Sequence, residues 1–181
     1  MRPYLDEQEK TRQFEAIALP HLDAAYNLAR WLTRNDQNAE DLVQNAYLRA
    51  FRFFDGFRGD DARAWLLTIV RHTYFSSLRG ERHEHVGFDE EMHGQDAEQN
   101  ELSITQGGDP EQAAMSRDTA RQVNSALEKL PPAFREVIVL KEMNDMSYKE
   151  IAEIAGVPLG TVMSRLARAR KMLGDLLRGA A

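Results

Sequence analysis

Between Arg82 and Arg117 the chain carries no lysine or arginine but nine aspartate or glutamate side chains. Residues 83–109 also hold four glycines, few large apolar side chains and no apolar periodicity, a composition that cannot bury a core of its own. This stretch constrains the fold more than any other feature, because it divides 181 residues into two apolar blocks, each the size of a small domain. Residues 1–82 hold 12 cations and 12 acids, whereas residues 116–181 hold 11 cations and 8 acids, so only the second block is basic. The organisation expected is a first domain over 1–82, a flexible acidic linker over 83–109 and a second domain over 110–181. Fully extended, such a linker reaches roughly 90 Å, which lets the two domains engage well-separated sites.

Both blocks read as helices. Phe14, Ile17, Leu22, Ala25, Ala29 and Leu32 recur at helical spacing, with Pro20 as a break. Asn38 is placed to cap a second helix carrying Leu42, Ala46, Phe51 and Phe54. Two glycines and three aspartates mark Asp55–Asp61 as a loop. A third helix is expected from about Ala62 to Leu78, with Trp65, Leu66, Ile69 and Thr73 on one face. In the second block Asp109-Pro110 is a helix start, and Ala120, Val123, Leu127 and Leu130 follow at helical spacing. Pro131-Pro132 ends that helix and opens another. No segment alternates with period two, so the fold class expected is all-α, with two small helical domains.

Residues 147–170 carry the strongest local pattern. Ser147 and Glu150 form a capping box, a short helix with the small Ala152 follows, and Gly156 stands where a tight turn requires a positive φ. A final helix from Thr161 to about Leu177 places Val162, Leu166, Ala169, Leu173 and Leu176 on one face. Thr161, Ser164, Arg165, Arg168 and Lys171 fall on the other. This is a helix-turn-helix whose second helix is built to read a major groove: arginine bonds guanine bidentately, and short hydroxyls reach base edges or phosphates. In the first block Arg63, Arg71, Arg79 and Arg82 interleave with Tyr74 and Phe75, a mixture suited to single-stranded DNA through phosphate contact and base stacking.

Two motif sets resemble the extracytoplasmic-function (ECF) sigma factors of the sigma-70 family. One comprises Leu130-Pro131-Pro132-Ala133-Phe134-Arg135-Glu136-Val137, Ser147-Tyr148-Lys149-Glu150-Ile151-Ala152 and Gly160–Arg170, which looks like the family's region 4. The other comprises Ala39–Ala46, Phe57-Arg58-Gly59 and Ala64-Trp65-Leu66, which looks like region 2. The resemblance implies a promoter-selectivity factor, with core RNA polymerase and promoter DNA as partners. Region 2 would dock on the β′ clamp helices through Asp41, Gln44 and Asn45. It would capture the melted −10 strand through Phe57, Arg58, Gly59, Arg63, Arg71, His72 and Phe75. Region 4 would dock on the β flap and read the −35 duplex through Thr161, Ser164, Arg165, Arg168 and Lys171. An anti-sigma factor would silence the protein until a stress or envelope signal arrives. The chain departs from the family pattern at Asn45, where an acid is usual, at His72, where asparagine is frequent, and at Met163, where a base is frequent.

Cysteine is absent, which removes disulfides, thiolate metal sites and cysteine nucleophiles. The longest apolar run is only about Val137 to Leu140, and no apolar signal core follows the charged N-terminus. A cytoplasmic protein without membrane insertion is expected. No nucleophile elbow, phosphate-binding glycine loop or paired metal-ligand motif is present, so neither an enzyme nor a cofactor is expected. His83, His85 and His93 with Glu84 and Asp89 lack the rigid geometry of a metal site. A stand-alone helix-turn-helix regulator is the competing reading. It would bind duplex DNA unaided through many phosphate contacts, which an acidic chain serves poorly.

Overall fold

A computed structural model of the chain describes residues 6–84 and 110–179, and contains no strand among them. The first helix, α1 (Glu7–Ala18), gives way at Pro20 to a single 3₁₀ turn, Leu19–His21, before α2 (Leu22–Thr33). The break expected at the proline is therefore a tightened turn, which joins α1 to α2 without a loop. Arg34, in the left-handed conformation at φ 58°, ends α2 by donating its backbone N–H to the Arg30 carbonyl at 2.8 Å.

The next helix, α3 (Asp36–Phe53), is capped by Asn35 rather than Asn38. The Asn35 side chain accepts from the Asn38 backbone N–H at 2.9 Å, so Asn38 is the capped residue. A cap forms where the backbone leaves helical φ/ψ, and the left-handed Arg34 places that point at Asn35.

Asp61 opens α4 (Ala62–Glu84) by accepting from the Ala64 N–H at 2.9 Å. The helix outruns the expected end at Leu78 and the expected boundary at residue 82. It also buries two faces instead of one. Ala64, Leu67 and Val70 enter the main core, while Leu66, with Trp65 and Ile69, enters an aromatic cluster built around Phe14 and Phe54. Thr73 is half-buried one turn beyond Ile69, and its hydroxyl donates back to the Ile69 carbonyl at 2.7 Å.

The second block folds as α5 (Pro110–Glu128), α6 (Pro132–Ile138), α7 (Tyr148–Ala155) and α8 (Leu159–Gly179). Asp109, the expected cap of α5, and the acidic stretch 85–109 lie outside the described residues, as do the side chains of the candidate histidine cluster. After α6 the helix widens into a π turn, Val139–Met143; the Val137–Leu140 run is buried across the two, and Asp145 lies two residues beyond the turn at φ 49°.

The two blocks are packed together. One buried cluster runs without interruption from Leu28, Trp31 and Val70 to Leu127, Leu130, Val137, Ile138, Ile151 and Leu166. Helices α2 and α4 of the first block meet α6, the π turn and α7 of the second. Each large apolar side chain removed from water in this way stabilises the contact by about 1.5–3 kcal/mol.

Candidate nucleic-acid interface

The helix-turn-helix forms as its local signals require. The Ser147 hydroxyl accepts from the Glu150 N–H at 3.1 Å, and Glu150 Oε2 accepts from the Ser147 N–H at 2.6 Å. Gly156, at φ 65°, ends α7. α8 starts two residues before the expected Thr161, because the Pro158 carbonyl already accepts from the N–H groups of Thr161 and Val162. Val162, Leu166 and Ala169 are buried, and Leu173 and Leu176 pack against the same core. On the opposite face Ser164, Arg168 and Lys171 are exposed, with Thr161 and Arg165 half-buried beside them. The five candidate −35 residues therefore share one open side of one helix. Met163 and Leu159 are also exposed at its N-terminal end. Arg170 is turned aside, held by Glu142 at 2.8 Å, and that hydrogen bond raises its already high pKa.

The candidate −10 residues are gathered less openly. After α3 a 3₁₀ turn, Phe54–Gly56, leads into the loop. Phe57 is half-buried: its ring centroid lies 4.5 Å from that of Trp65 and 6.4 Å from that of Phe54. Phe57 thus belongs to the wall of the aromatic cluster while bordering the exposed Arg58 and Gly59. A Cβ at Gly59 would stand 3.4 Å from the Phe57 ring. Lys10 ties this turn to α1 through Asp55 at 2.7 Å. On α4, Arg63 and Phe75 are half-buried and His72 is exposed. Arg71, expected to face DNA, is already engaged. Its guanidinium lies 4.6 Å from the Phe75 ring centroid and pairs with Glu136 of α6.

Asp41, Gln44 and Asn45 lie exposed on α3, opposite the buried Ala39, Leu42, Val43, Ala46 and Ala50. Leu48, 62% exposed, extends the same face one turn further. Sequence reasoning missed it. The available signal was a leucine out of phase with the Leu42–Ala46–Ala50 stripe.

The seam between the blocks contains groups that the sequence reading left unassigned. Arg135 is buried and donates four hydrogen bonds: to the carbonyls of Leu127 (3.1 Å), Glu128 (3.0 Å), Leu130 (2.7 Å) and, across the seam, Trp31 (3.2 Å). It thereby caps the C-terminal ends of α5 and α2 together, where a cation complements both helix dipoles. Burial lowers its pKa. The Glu136 side chain is 3% exposed, and burial pushes its carboxyl up, against the opposing charges of Arg71 and Arg165. Asn144 Nδ2 donates to the Ala24 carbonyl at 3.2 Å, while its buried Oδ1 has no partner among the described residues. Asp61 meets Glu150 across the seam; the Ala64 N–H is the main reason its pKa is lowered. A cavity of about 10 Å³ between Trp31, Tyr74, Pro132 and Arg135 holds no more than a water.

Comparison with known proteins gives a consistent result for both blocks. The Sigma-70 region 2 family model matches residues 17–84, and the Sigma-70, region 4 model matches residues 120–173. The chain is 33% identical to the ECF RNA polymerase sigma-E factor of Haemophilus influenzae, over 83% of this chain and 79% of that protein. It is 32% identical to the ECF RNA polymerase sigma factor SigW of Bacillus subtilis, over 91% of this chain and 89% of that one. Against the ECF sigma factor SigE of Mycolicibacterium smegmatis it is 31% identical over 94% of its own length, but spans 64% of that protein. Among solved structures it is similar to the sigma factor RpoE of Bartonella quintana in complex with the anti-sigma factor NepR. The TM-score is 0.69 at 30% identity, covering 92% of this chain and 98% of the other. No helix among the described residues is long and apolar enough to cross a membrane.

Proposed function

The chain belongs to the ECF sigma factors of the sigma-70 family, and from that premise we propose how its surfaces divide the work of promoter selection. The observation that carries this reading is the open face of α8, where Thr161, Ser164, Arg165, Arg168 and Lys171 stand on one side of a helix whose other side is buried. Such a helix lies in the major groove of the −35 element, with Arg165 and Arg168 bonding base edges or phosphates. The loop at Phe57, Arg58 and Gly59, with Arg63, Arg71, His72 and Phe75, takes the −10 strand once it is melted. The half-buried Phe57 supplies an apolar wall for a displaced base. The exposed face of α3, with Asp41, Gln44, Asn45 and Leu48, docks on the β′ clamp helices, and the second block also meets the β flap. Residues 85–109 join the two recognition blocks as a linker. The protein performs no chemistry of its own; it confers selectivity on core polymerase.

Control by an anti-sigma factor in a stress or envelope response is part of the same proposal, supported by the likeness to a sigma factor crystallised with one. The test is co-elution with bacterial core RNA polymerase, followed by promoter-dependent transcription. Gln44→Ala should weaken co-elution. Arg165→Ala with Arg168→Ala should leave co-elution intact and reduce promoter-dependent initiation by about tenfold or more, since each lost base contact is worth about 1–3 kcal/mol. Equal loss of both activities in the Arg165→Ala, Arg168→Ala variant would overturn the division of labour.

A further inference from the structure

The N-terminal half of α8 carries apolar side chains that neither the core nor the polar face of the helix uses. Leu159 and Met163 are 49% and 53% exposed, and Ala167 is exposed one turn further on. Spaced four residues apart, the three form one row along the helix surface. The same row continues to the exposed Lys171, so it runs into the face assigned to the −35 element. Gly160 lies beside it. Its φ is not left-handed, and a Cβ there would meet nothing within 4 Å. Neither the backbone nor the packing calls for glycine at 160, where alanine would make the better helix. With Gly160 three residues before it and Ala167 four after it, Met163 is a long apolar side chain rising from a floor of small ones.

We propose that Met163, with Leu159 behind it, reads thymine: it takes the C5 methyl group of a thymine in the −35 duplex, while Gly160 and Ala167 let the helix come close to the base edges. This inference rests on the placement of α8 in the major groove. In that placement the N-terminal residues of the second helix face the base edges. The thymine methyl is the apolar group that the major groove displays. Cytosine offers no such methyl, so an apolar side chain discriminates where a cation would hold either pair by its phosphate. The exposed Arg168 and Lys171 beside the row suit a polyanion rather than an apolar protein surface. Met163 thus adds a base preference that the charged residues of the same helix do not supply.

The test uses holoenzyme reconstituted from the full chain and core RNA polymerase. Promoter duplexes with a randomised −35 segment are selected for binding. The enriched sequence is then resynthesised with each thymine in turn replaced by deoxyuridine, which deletes the C5 methyl alone. One replacement should weaken binding about threefold to fivefold, the worth of one buried methyl group. Met163→Ala should make binding to the thymine and uracil duplexes equal, and Met163→Leu should keep the preference. Met163→Arg should abolish it and steepen the salt dependence by about one phosphate contact. Gly160→Ala should hold the melting temperature and weaken duplex binding several-fold; equal binding would overturn the close approach that the methyl contact requires. If the enriched sequence holds no thymine, or no replacement matters, while Arg168→Ala still weakens binding, methyl reading is overturned and the placement of α8 stands. If no −35 sequence is enriched, that placement fails and the proposal with it. If Met163→Ala weakens co-elution with core polymerase and leaves the thymine preference intact, the row is a protein-docking surface and the proposal is overturned.

Discussion

Replacing Arg135 with methionine keeps most of the apolar stem and deletes all four hydrogen bonds that the guanidinium donates. A hydrogen bond from a charged donor contributes about 1.5–3 kcal/mol, which would place four of them near 6–12 kcal/mol. Two effects reduce that figure. The guanidinium is itself desolvated in the folded chain, the reason its pKa is lowered, and methionine escapes that penalty. Some of the carbonyls at the ends of α5 and α2 will also recover a water. The loss expected is about 3–5 kcal/mol, with a fall in melting temperature of about 6–20 °C at roughly 2–4 °C per kcal/mol. Urea unfolding of the full chain, followed by helical circular dichroism, measures it. Arg135→Lys should fall between the two, because an ammonium has only three donors and lacks the planar fork. A loss below about 1 kcal/mol for Arg135→Met would refute the claim that this side chain satisfies the helix ends.

Glu136→Gln tests the buried carboxyl. Its folded pKa is raised above the unfolded value, so the native chain holds the proton more tightly and its stability falls as pH rises from the ordinary carboxyl range through the folded pKa. The glutamine variant should lose that part of the slope in urea melts at a series of pH values, and an unchanged slope would refute the assignment. Gly156→Ala forces an alanine to φ 65° and should destabilise the helix-turn-helix by about 1 kcal/mol. Ser147→Ala, which removes half of the capping box, should do the same to a similar degree. Tyr47→Phe removes the donor to the buried Ala18 carbonyl, a 2.9 Å bond, and should cost about 1–2 kcal/mol. It should also abolish a tyrosine titration that burial pushes up to about 12, visible in the ultraviolet spectrum at alkaline pH.

The helix-turn-helix was legible because its determinants are local: a cap, a turn glycine and an apolar seam all lie within one stretch of chain. The open face of α3 was legible for the same reason. The seam was not. Arg135 reaches Trp31 across 104 residues, and Arg71 reaches Glu136 across 65; no spacing rule joins such positions. Nothing in the local spacing marks Arg135 and Glu136 as buried; only the partner helices do that. The acidic stretch marked two domains without saying whether they touch; the blocks share one core. Composition reports what a segment cannot bury; whether its neighbours meet is a separate matter. Smaller misplacements share one cause. Asn35, Asp36 and Asn38 are all competent caps, and only the backbone break at Arg34 selects among them. α8 begins at Leu159 because Pro158 contributes its carbonyl to the helix although it has no N–H to donate.

The tie between α1 and the −10 loop has a consequence of its own. Phe14 sets its ring edge-on against Phe54 and Phe51, Phe54 stacks on Phe57, and Lys10 grips Asp55 just before the loop. The loop therefore takes its shape from a helix more than forty residues upstream. Trimming Phe14 would loosen the wall behind Phe57 without touching the loop's own residues. If the loop takes a melted base as proposed, its base preference depends partly on α1, and exchanging α1 between relatives would alter it while leaving Phe57, Arg58 and Gly59 in place.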